Sequence, residues 1–331
     1  TELPLLSQVE IEYIGSLYGH NGIVTSITVG KDSNGTPLVV SGSRDKKLIV
    51  WKLNLDKPEE ILDSENKATE EKIIGKPFKA LSGHNHFVSS LAISKDSNFV
   101  VSGSWDKTVR LWDLNTFKTK VLLTGHTKDV LSVSFSPDSR LIITGSMDNS
   151  VKFWNIKGEQ KHSINDFGGW VSCISHIKRQ DKQNFIAVGS WDQTVKLYDP
   201  KELTYVSQVE GFDYGVVSTF PDDEGEFLFS GEKNGKIRVH KLNSDNTSEL
   251  KSTIDINADL NAISFESKHY MCVTCATSKG LIINEVNKLN KSVFTKDVSA
   301  CHSLAWDESR SYLFAGFADG VIRVFKFKSE N

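Results

Sequence analysis

Cysteine, methionine and proline are scarce in this chain, with 4, 2 and 7 among 331 residues. Four cysteines spread over such a length (Cys173, Cys272, Cys275 and Cys301) make no secreted disulfide framework, so reduced thiols are expected. No apolar run approaches the roughly 18 residues needed to cross a bilayer, and no basic-then-apolar segment stands at the beginning. A soluble, cytoplasmic protein without membrane insertion is the expectation. Helical periodicity is missing throughout, as is a glycine-rich loop leading into a helix, which removes the phosphate-cradling motifs of nucleotide enzymes. Nor is there an excess of basic charge. The formal net charge is -3 and the pI about 6.3, so any nucleic-acid contact must come from a local patch.

What the chain does have is repetition. Ser102 to Leu114 reads SGSWDKTVRLWDL, and versions of it stand at Ser41 (SGSRDKKLIVWKL), Thr144 (TGSMDNSVKFWNI) and Val188 (VGSWDQTVKLYDP). Weaker ones begin at Ser230, Cys275 and Ala315. Counted on the turn position (Asp45, Asp106, Asp148, Asp192, Asn234, Lys279, Asp319), the steps are 61, 42, 44, 42, 45 and 40 residues. This is the four-strand blade period of a WD-repeat propeller. A second column agrees: Gly-His at His20, His84 and His126, replaced by Phe167, Phe212, Ile256 and Asp297 in later repeats. Six residues beyond stand Ser26, Ser90, Ser132, Cys173, Ser218, Ala262 and Ser303, all small, where inner strands of neighbouring blades would crowd together.

The predicted fold is therefore all-β, a seven-bladed WD40 β-propeller. Length alone would suggest about two domains, but one blade cannot bury both faces of its sheet, so residues 1–331 read as one ring. Ile11 to Leu17 resembles the outer strands that precede the other Gly-His pairs, while blade seven ends without an outer strand. The N-terminal strand is expected to complete that blade and close the ring, removing exposed edges. The long first step comes from Asn54 to Pro77, charged and poor in large apolar residues. It is expected to be a solvated loop on the face opposite the Gly-His loops.

Several constellations look chemical. His20, Ser41 and Asp45, then His84, Ser102 and Asp106, then His126, Thr144 and Asp148 have the residue types of a hydrolase triad. Threefold recurrence, each time with a tryptophan six residues after the Asp (Trp51, Trp112, Trp154), points instead to a structural hydrogen-bond network. Cys272 and Cys275 lack the further ligands of a zinc site, and residues three apart on a strand point to opposite faces. No metal, cofactor or catalytic centre is assigned. Trp105 and Trp191, beside their turn Asp residues, are either caps on the neighbouring blade or partner contacts. One sector is basic, with Arg44, Lys46, Lys47, Lys107 and Lys128 in turns and loops of blades one to three, whereas later inter-blade loops carry Asp213, Asp255, Asp259 and Asp297. Lys236 and Arg238 in blade five lie away from that sector. Three cations in the single turn Arg44 to Lys47 suit phosphate as well as solvent.

The turn SGSRDKKLIVWKL, the run from Gly83 to Leu114, GHTKDVLSVSFSPDSRLIITGS (Gly125 to Ser146), WVSC (Trp170 to Cys173) and SLAWDESRSYLFAG (Ser303 to Gly316) closely resemble the receptor for activated C kinase family. That family comprises WD-repeat scaffolds, similar to G-protein β-subunits, on the head of the small ribosomal subunit. The resemblance implies a non-enzymatic, cytoplasmic, ribosome-associated protein. Its implied partners are small-subunit ribosomal RNA, ribosomal proteins of the head, protein kinase C and other signalling proteins. It also implies that the Arg44, Asp45, Lys46 turn contacts ribosomal RNA. The family often has a second basic turn in blade three, where this chain has Met147, Asp148 and Asn149, and the connection from Asn287 to Ala300 is short. A G-protein β-like signalling adaptor is the alternative, and would call for a long N-terminal coiled coil where about ten residues precede the first strand.

Overall fold

The second strand of each repeat is an almost continuous buried run, as in Phe99–Ser104 and Phe185–Ser190, so both of its faces carry residues that need cover and a single sheet has no face it can leave to water. The computed structural model describes residues 9–32, 35–55, 58–62, 68–179, 183–266, 272–285, 292–296 and 299–329. Expectations placed on residues 1–8, on Asp297 and on much of the 287–300 connection lie outside these residues, as does the side chain of Cys272. The described elements are all strands, in seven sheets that are antiparallel except for one parallel pairing in the seventh, between Val9–Leu17 and Ala68–Ile73. Six sheets have four strands in chain order, spanning residues 24–82, 88–123, 130–164, 171–209, 216–255 and 260–296. The seventh spans 301–329 and takes up Val9–Leu17 from the other end of the chain.

The first strand of each sheet packs against the first strand of the next, and Cys301–Trp306 of the seventh against Val24–Lys31 of the first, so the blades form a closed ring. The apolar clusters lie between blades. One joins Val40, Leu48, Val50 and Leu81 of blade one to Val88, Leu91, Val100 and Trp112 of blade two, and the same pattern recurs around the circle. Burial at this seam forbids a side chain at the glycine of Ser-Gly-Ser in blades one and two and at its glycine counterparts in other blades. A Cβ on Gly42 would lie 2.6 Å from Val88 Cγ1, and one on Gly316 2.6 Å from Val24 Cγ1. The small column stitches the same seam with hydrogen bonds. Ser26 Oγ accepts from Leu91 N at 2.9 Å, Ser90 Oγ from Val133 N at 3.1 Å and Ser218 Oγ from Ile263 N at 3.2 Å, each across a blade boundary. Cys301 is buried in the seventh seam, which accounts for it by packing.

Closure uses the N-terminal strand. Val9–Leu17 pairs antiparallel with Ile322–Ser329 from Val9↔Ser329 to Leu17↔Ile322, with a bulge between Tyr13 and Gly15. Leu17 is fully buried among Val24, Ile49, Trp51 and Ile322.

The segment expected to be a solvated loop departs from that reading. Within Asn54 to Pro77, Glu59–Leu62 and Ala68–Ile73 form an antiparallel pair, and Ala68–Ile73 adds to the outer edge of Val9–Leu17, giving the seventh blade six strands. Ile74 N donates to Ser16 O at 3.2 Å, Tyr18 Oη to Glu71 Oε2 at 2.7 Å, and a Cβ on Gly15 would lie 2.6 Å from Lys72 O. The segment thus lies against the rim rather than under the lower face. Its charges do stay in solvent, as the exposed Lys76–Glu59 pair illustrates at 2.8 Å. Charge dictates where side chains go, while an open sheet edge still offers partners to the backbone.

If the ring depends on this closing strand, Leu17→Ala removes a fully buried side chain at the junction and costs about 2–5 kcal/mol. Leu122→Ala, at a position 46% exposed, changes stability by less than about 1 kcal/mol. Denaturant midpoints of the two variants check the difference; equal midpoints contradict it.

Candidate functional site

The upper face, defined here by the Gly-His loops and acidic turns, is held by one recurrent chain of hydrogen bonds. In blade two, Trp112 Nε1 donates to Ser102 Oγ at 2.8 Å, Ser102 Oγ meets His84 Nε2 at 2.7 Å, and His84 Nδ1 meets Asp106 Oδ2 at 2.9 Å. An indole can only donate and a carboxylate only accept, so the neutral imidazole carries its proton on Nδ1 and the serine donates to Nε2. Blade one repeats this with Trp51, Ser41, His20 and Asp45 at 2.7, 2.7 and 2.7 Å. Blade three repeats it with Trp154, Thr144, His126 and Asp148 at 2.9, 2.8 and 2.8 Å.

The carboxylates also organise backbone. Asp45, Asp106 and Asp148 accept from the amides of Asn21, Asn85 and Thr127 in the preceding loop and from those of Lys47, Thr108 and Ser150 in their own turn. Burial works against ionisation of all three, yet the hydrogen bond from the histidine and the donated amides outweigh it and hold each carboxyl below the usual range. The hydroxyls of Ser41, Ser102 and Thr144 have no exposed surface. Each is engaged by both indole and imidazole, which leaves no accessible nucleophile.

Blades four, five and seven keep a carboxylate and change the donors, while blade six has Thr277 and Lys279 in its turn. In blade four Asp192 Oδ2 accepts from Gly168 N at 2.9 Å, while Tyr198, at the tryptophan position, donates to Asp166 at 3.0 Å and the buried Phe167 fills the histidine position. Blade five has Asn234 at the turn, and the backbone-organising role has moved to Glu232, which is fully buried and accepts from Asp213 N at 3.0 Å and Tyr214 N at 2.9 Å. Arg238 Nε pairs with Glu232 at 2.6 Å and its Nη2 with Asp213 at 2.7 Å; Lys236 joins Asp213 at 2.8 Å. These two cations are therefore engaged within the blade. In blade seven Arg323 pairs with Asp319 at 2.7 Å. The cue for these replacements was present: Glu232 stands where blades one to four have Ser43, Ser104, Ser146 and Ser190, with an arginine six residues on.

The basic sector divides. Lys46, Lys47, Lys107 and Lys128 are exposed, and Lys46 and Lys107 hold the left-handed turn position at φ 70° and 69°. Arg44, expected to project outward like them, instead leans across the blade boundary, its guanidinium 5.3 Å from the centre of Phe87 and 5.9 Å from that of Trp105. Trp105 stacks on His86 at 5.7 Å, so it caps the seam between blades one and two. Trp191 is 42% exposed beside Trp170, itself 40% exposed, with ring centres 5.3 Å apart. The structure contains no cluster of metal-ligating side chains among the described residues, and no helix long and apolar enough to cross a membrane.

A family model for the neurobeachin beta propeller domain matches residues 4–249, and one for the WD domain, G-beta repeat, matches residues 290–326. The chain is similar to the small ribosomal subunit protein RACK1y of Oryza sativa subsp. japonica, 37% identical over 336 residues covering 97% of each protein. It is 39% identical to the small ribosomal subunit protein RACK1 of Drosophila melanogaster over 323 residues, 94% of this chain and 96% of that protein. It is 38% identical over 333 residues to the cross-pathway control WD-repeat protein 2 of Flammulina velutipes, 97% of this chain and 99% of that one.

Two substitutions separate the networks energetically. His84→Ala strands a carboxylate that keeps its amide donors, and costs about 1–3 kcal/mol. Arg238→Ala leaves the buried Glu232 without its cation and costs about 3–5 kcal/mol. The turn carboxylates have folded pKa values below their unfolded ones. Their contribution is present above about pH 4 and is lost as pH falls through the depressed folded values. The cost of His84→Ala, read from denaturant midpoints, therefore shrinks on acidification from neutral pH. A cost independent of pH contradicts the network.

Proposed function

Because the chain belongs to the RACK1 family of WD-repeat proteins, we propose that it is a non-enzymatic scaffold of the small ribosomal subunit, cytoplasmic and ribosome-associated, that links translation to signalling proteins such as protein kinase C. In this reading residues 1–331 act as one propeller. Arg44, Lys46, Lys47, Lys107 and Lys128 face small-subunit ribosomal RNA and its neighbouring proteins, while the rest of the rim and the lower face remain available to signalling partners.

The observation that supports it best is the exposure of four lysines on the turns and loops of adjacent blades, above carboxylates tied to histidine and backbone. A cation on a turn fixed in this way loses little freedom on meeting a phosphate. Several of them spaced by the blade repeat recognise backbone shape rather than base sequence. The buried, doubly engaged hydroxyls argue for a scaffold over a hydrolase.

Lys46→Glu combined with Lys107→Glu tests the reading. Co-sedimentation with small subunits weakens, and the slope of log affinity against log salt falls by roughly two, about one per lost phosphate contact. Lys236 and Arg238 are unsuitable controls because of their pairs with Asp213 and Glu232. Lys157→Glu with Lys201→Glu, exposed positions on the lower-face turns, leaves binding as in the unmodified chain. A folded Lys46/Lys107 variant that co-sediments normally overturns the assignment.

A further inference from the structure

The centre of the upper face opens into a cavity of about 440 Å³ at the mouth of the propeller channel, to which the inner strands of all seven blades contribute: Thr25, Ser89, Leu131, Ser172, Val217, Asn261 and His302. Above these stand Phe87, Trp105, Met147, Trp170 and Trp191 on one side, and Arg44 and Lys233. No aspartate or glutamate lines the cavity among the described residues. Arg44 has no carboxylate partner among the described residues, and Lys233 is held by Leu260 O at 3.3 Å and Asn261 Oδ1 at 3.2 Å and makes a long, half-exposed ion pair with Asp259 at 4.0 Å. The side chains of Trp105, Trp170 and Trp191 have no hydrogen-bond acceptor for their indole N–H among the described residues. Large aromatics left half in water around a concave centre are the composition of an interaction hot spot rather than of a solvated loop.

We propose that this mouth docks an acidic peptide segment of a partner protein, with a carboxylate between Arg44 and Lys233 and the adjacent large apolar side chain against Trp170 and Trp191. His302 reports the local field. Burial, then the positive charges of Arg44 and Lys233, push it down to about 4. Burial is the larger cause, and the two cations add a positive potential at the mouth that an anion relieves. The occupant is a peptide rather than single-stranded nucleic acid because a strand needs a continuous cationic track for successive phosphates. Here the cations that line the mouth among the described residues are Arg44 and Lys233, two points rather than a track. A single anionic side chain suits such a pair. The site shares Arg44 with the surface proposed to meet RNA and uses none of that surface's lysines.

Selection of a display library of random octapeptides on the full chain tests this. Enriched sequences carry an Asp or Glu next to an aromatic or large aliphatic residue. A fluorescent peptide of the enriched sequence loses at least about tenfold in affinity with Trp191→Ala and with Lys233→Glu, while thermal stability and small-subunit co-sedimentation of both variants stay unchanged. Lys233→Gln, which keeps the polar reach without the charge, loses binding in the same direction. Enrichment of non-acidic sequences, binding insensitive to these substitutions, or competition by an octauridylate at the same site would each overturn the proposal. Loss of co-sedimentation by the Lys46/Lys107 variant alone bears on the ribosomal reading and leaves the peptide site untouched.

Discussion

Among the described residues, each apolar cluster lies between two sheets rather than within one. A blade alone would expose both faces of its sheet, so the stability of each repeat is a property of its neighbours and of the closure that gives the first and last blades neighbours too. Much else follows from that seam. The glycine of Ser-Gly-Ser is there because a valine of the next blade occupies the space of its Cβ. The serines of the inner column are small to let strands approach, and polar because the approach leaves an amide of the next blade to satisfy. Closing the circle with Val9–Leu17 puts the two ends of the chain in one sheet.

The upper face adds a second constraint, a buried carboxylate that gathers amides from a loop and a turn. Blades one to three support it through a hydrogen-bonded chain of histidine, serine or threonine, and tryptophan. Blade four replaces the histidine with phenylalanine and keeps the amide bonds, and blade five moves the carboxylate to Glu232 and supplies Arg238. What persists is the demand that loop amides have an acceptor; what varies is how the acceptor is itself supported. Where the exchange is incomplete, its trace remains. In blade five Ser230 Oγ and His240 Nδ1 are buried without partners, since Phe212 cannot donate to the one and His240 is turned toward Glu210 O.

Most of the fold was legible because repetition averages over local noise. Asp45 and Asp319 differ in surroundings, yet their spacing reports one blade period, and Leu17, three residues before His20, announced the closing strand. The 54–77 segment was misread for a physical reason: Glu59, Glu60, Glu71 and Lys72 argue for solvated side chains, which they have, but side-chain polarity says little about a backbone that can join an open edge. Arg44 was misplaced because its orientation depends on Phe87 and Trp105, which belong to the next repeat and reach it only through the seam. That Lys236 and Arg238 lie away from the basic sector was legible, whereas their engagement with Asp213 and with Glu232, in a serine's place, was not. The channel mouth was invisible in the sequence, since its residues come one or two from each blade.

These features make the protein a rigid ring whose surface chemistry is unevenly distributed, with exposed lysines over blades one to three and an aromatic, cationic mouth at the centre. The central claim is that the lysine sector faces the small ribosomal subunit. It is tested most directly by lysine acetylation footprinting of the unmodified chain, free and bound to small subunits. Protection of Lys46, Lys47, Lys107 and Lys128 on binding, with Lys157 and Lys201 reacting equally in both states, is the predicted result. Protection of Lys157 and Lys201 with the four upper-face lysines unchanged would contradict it.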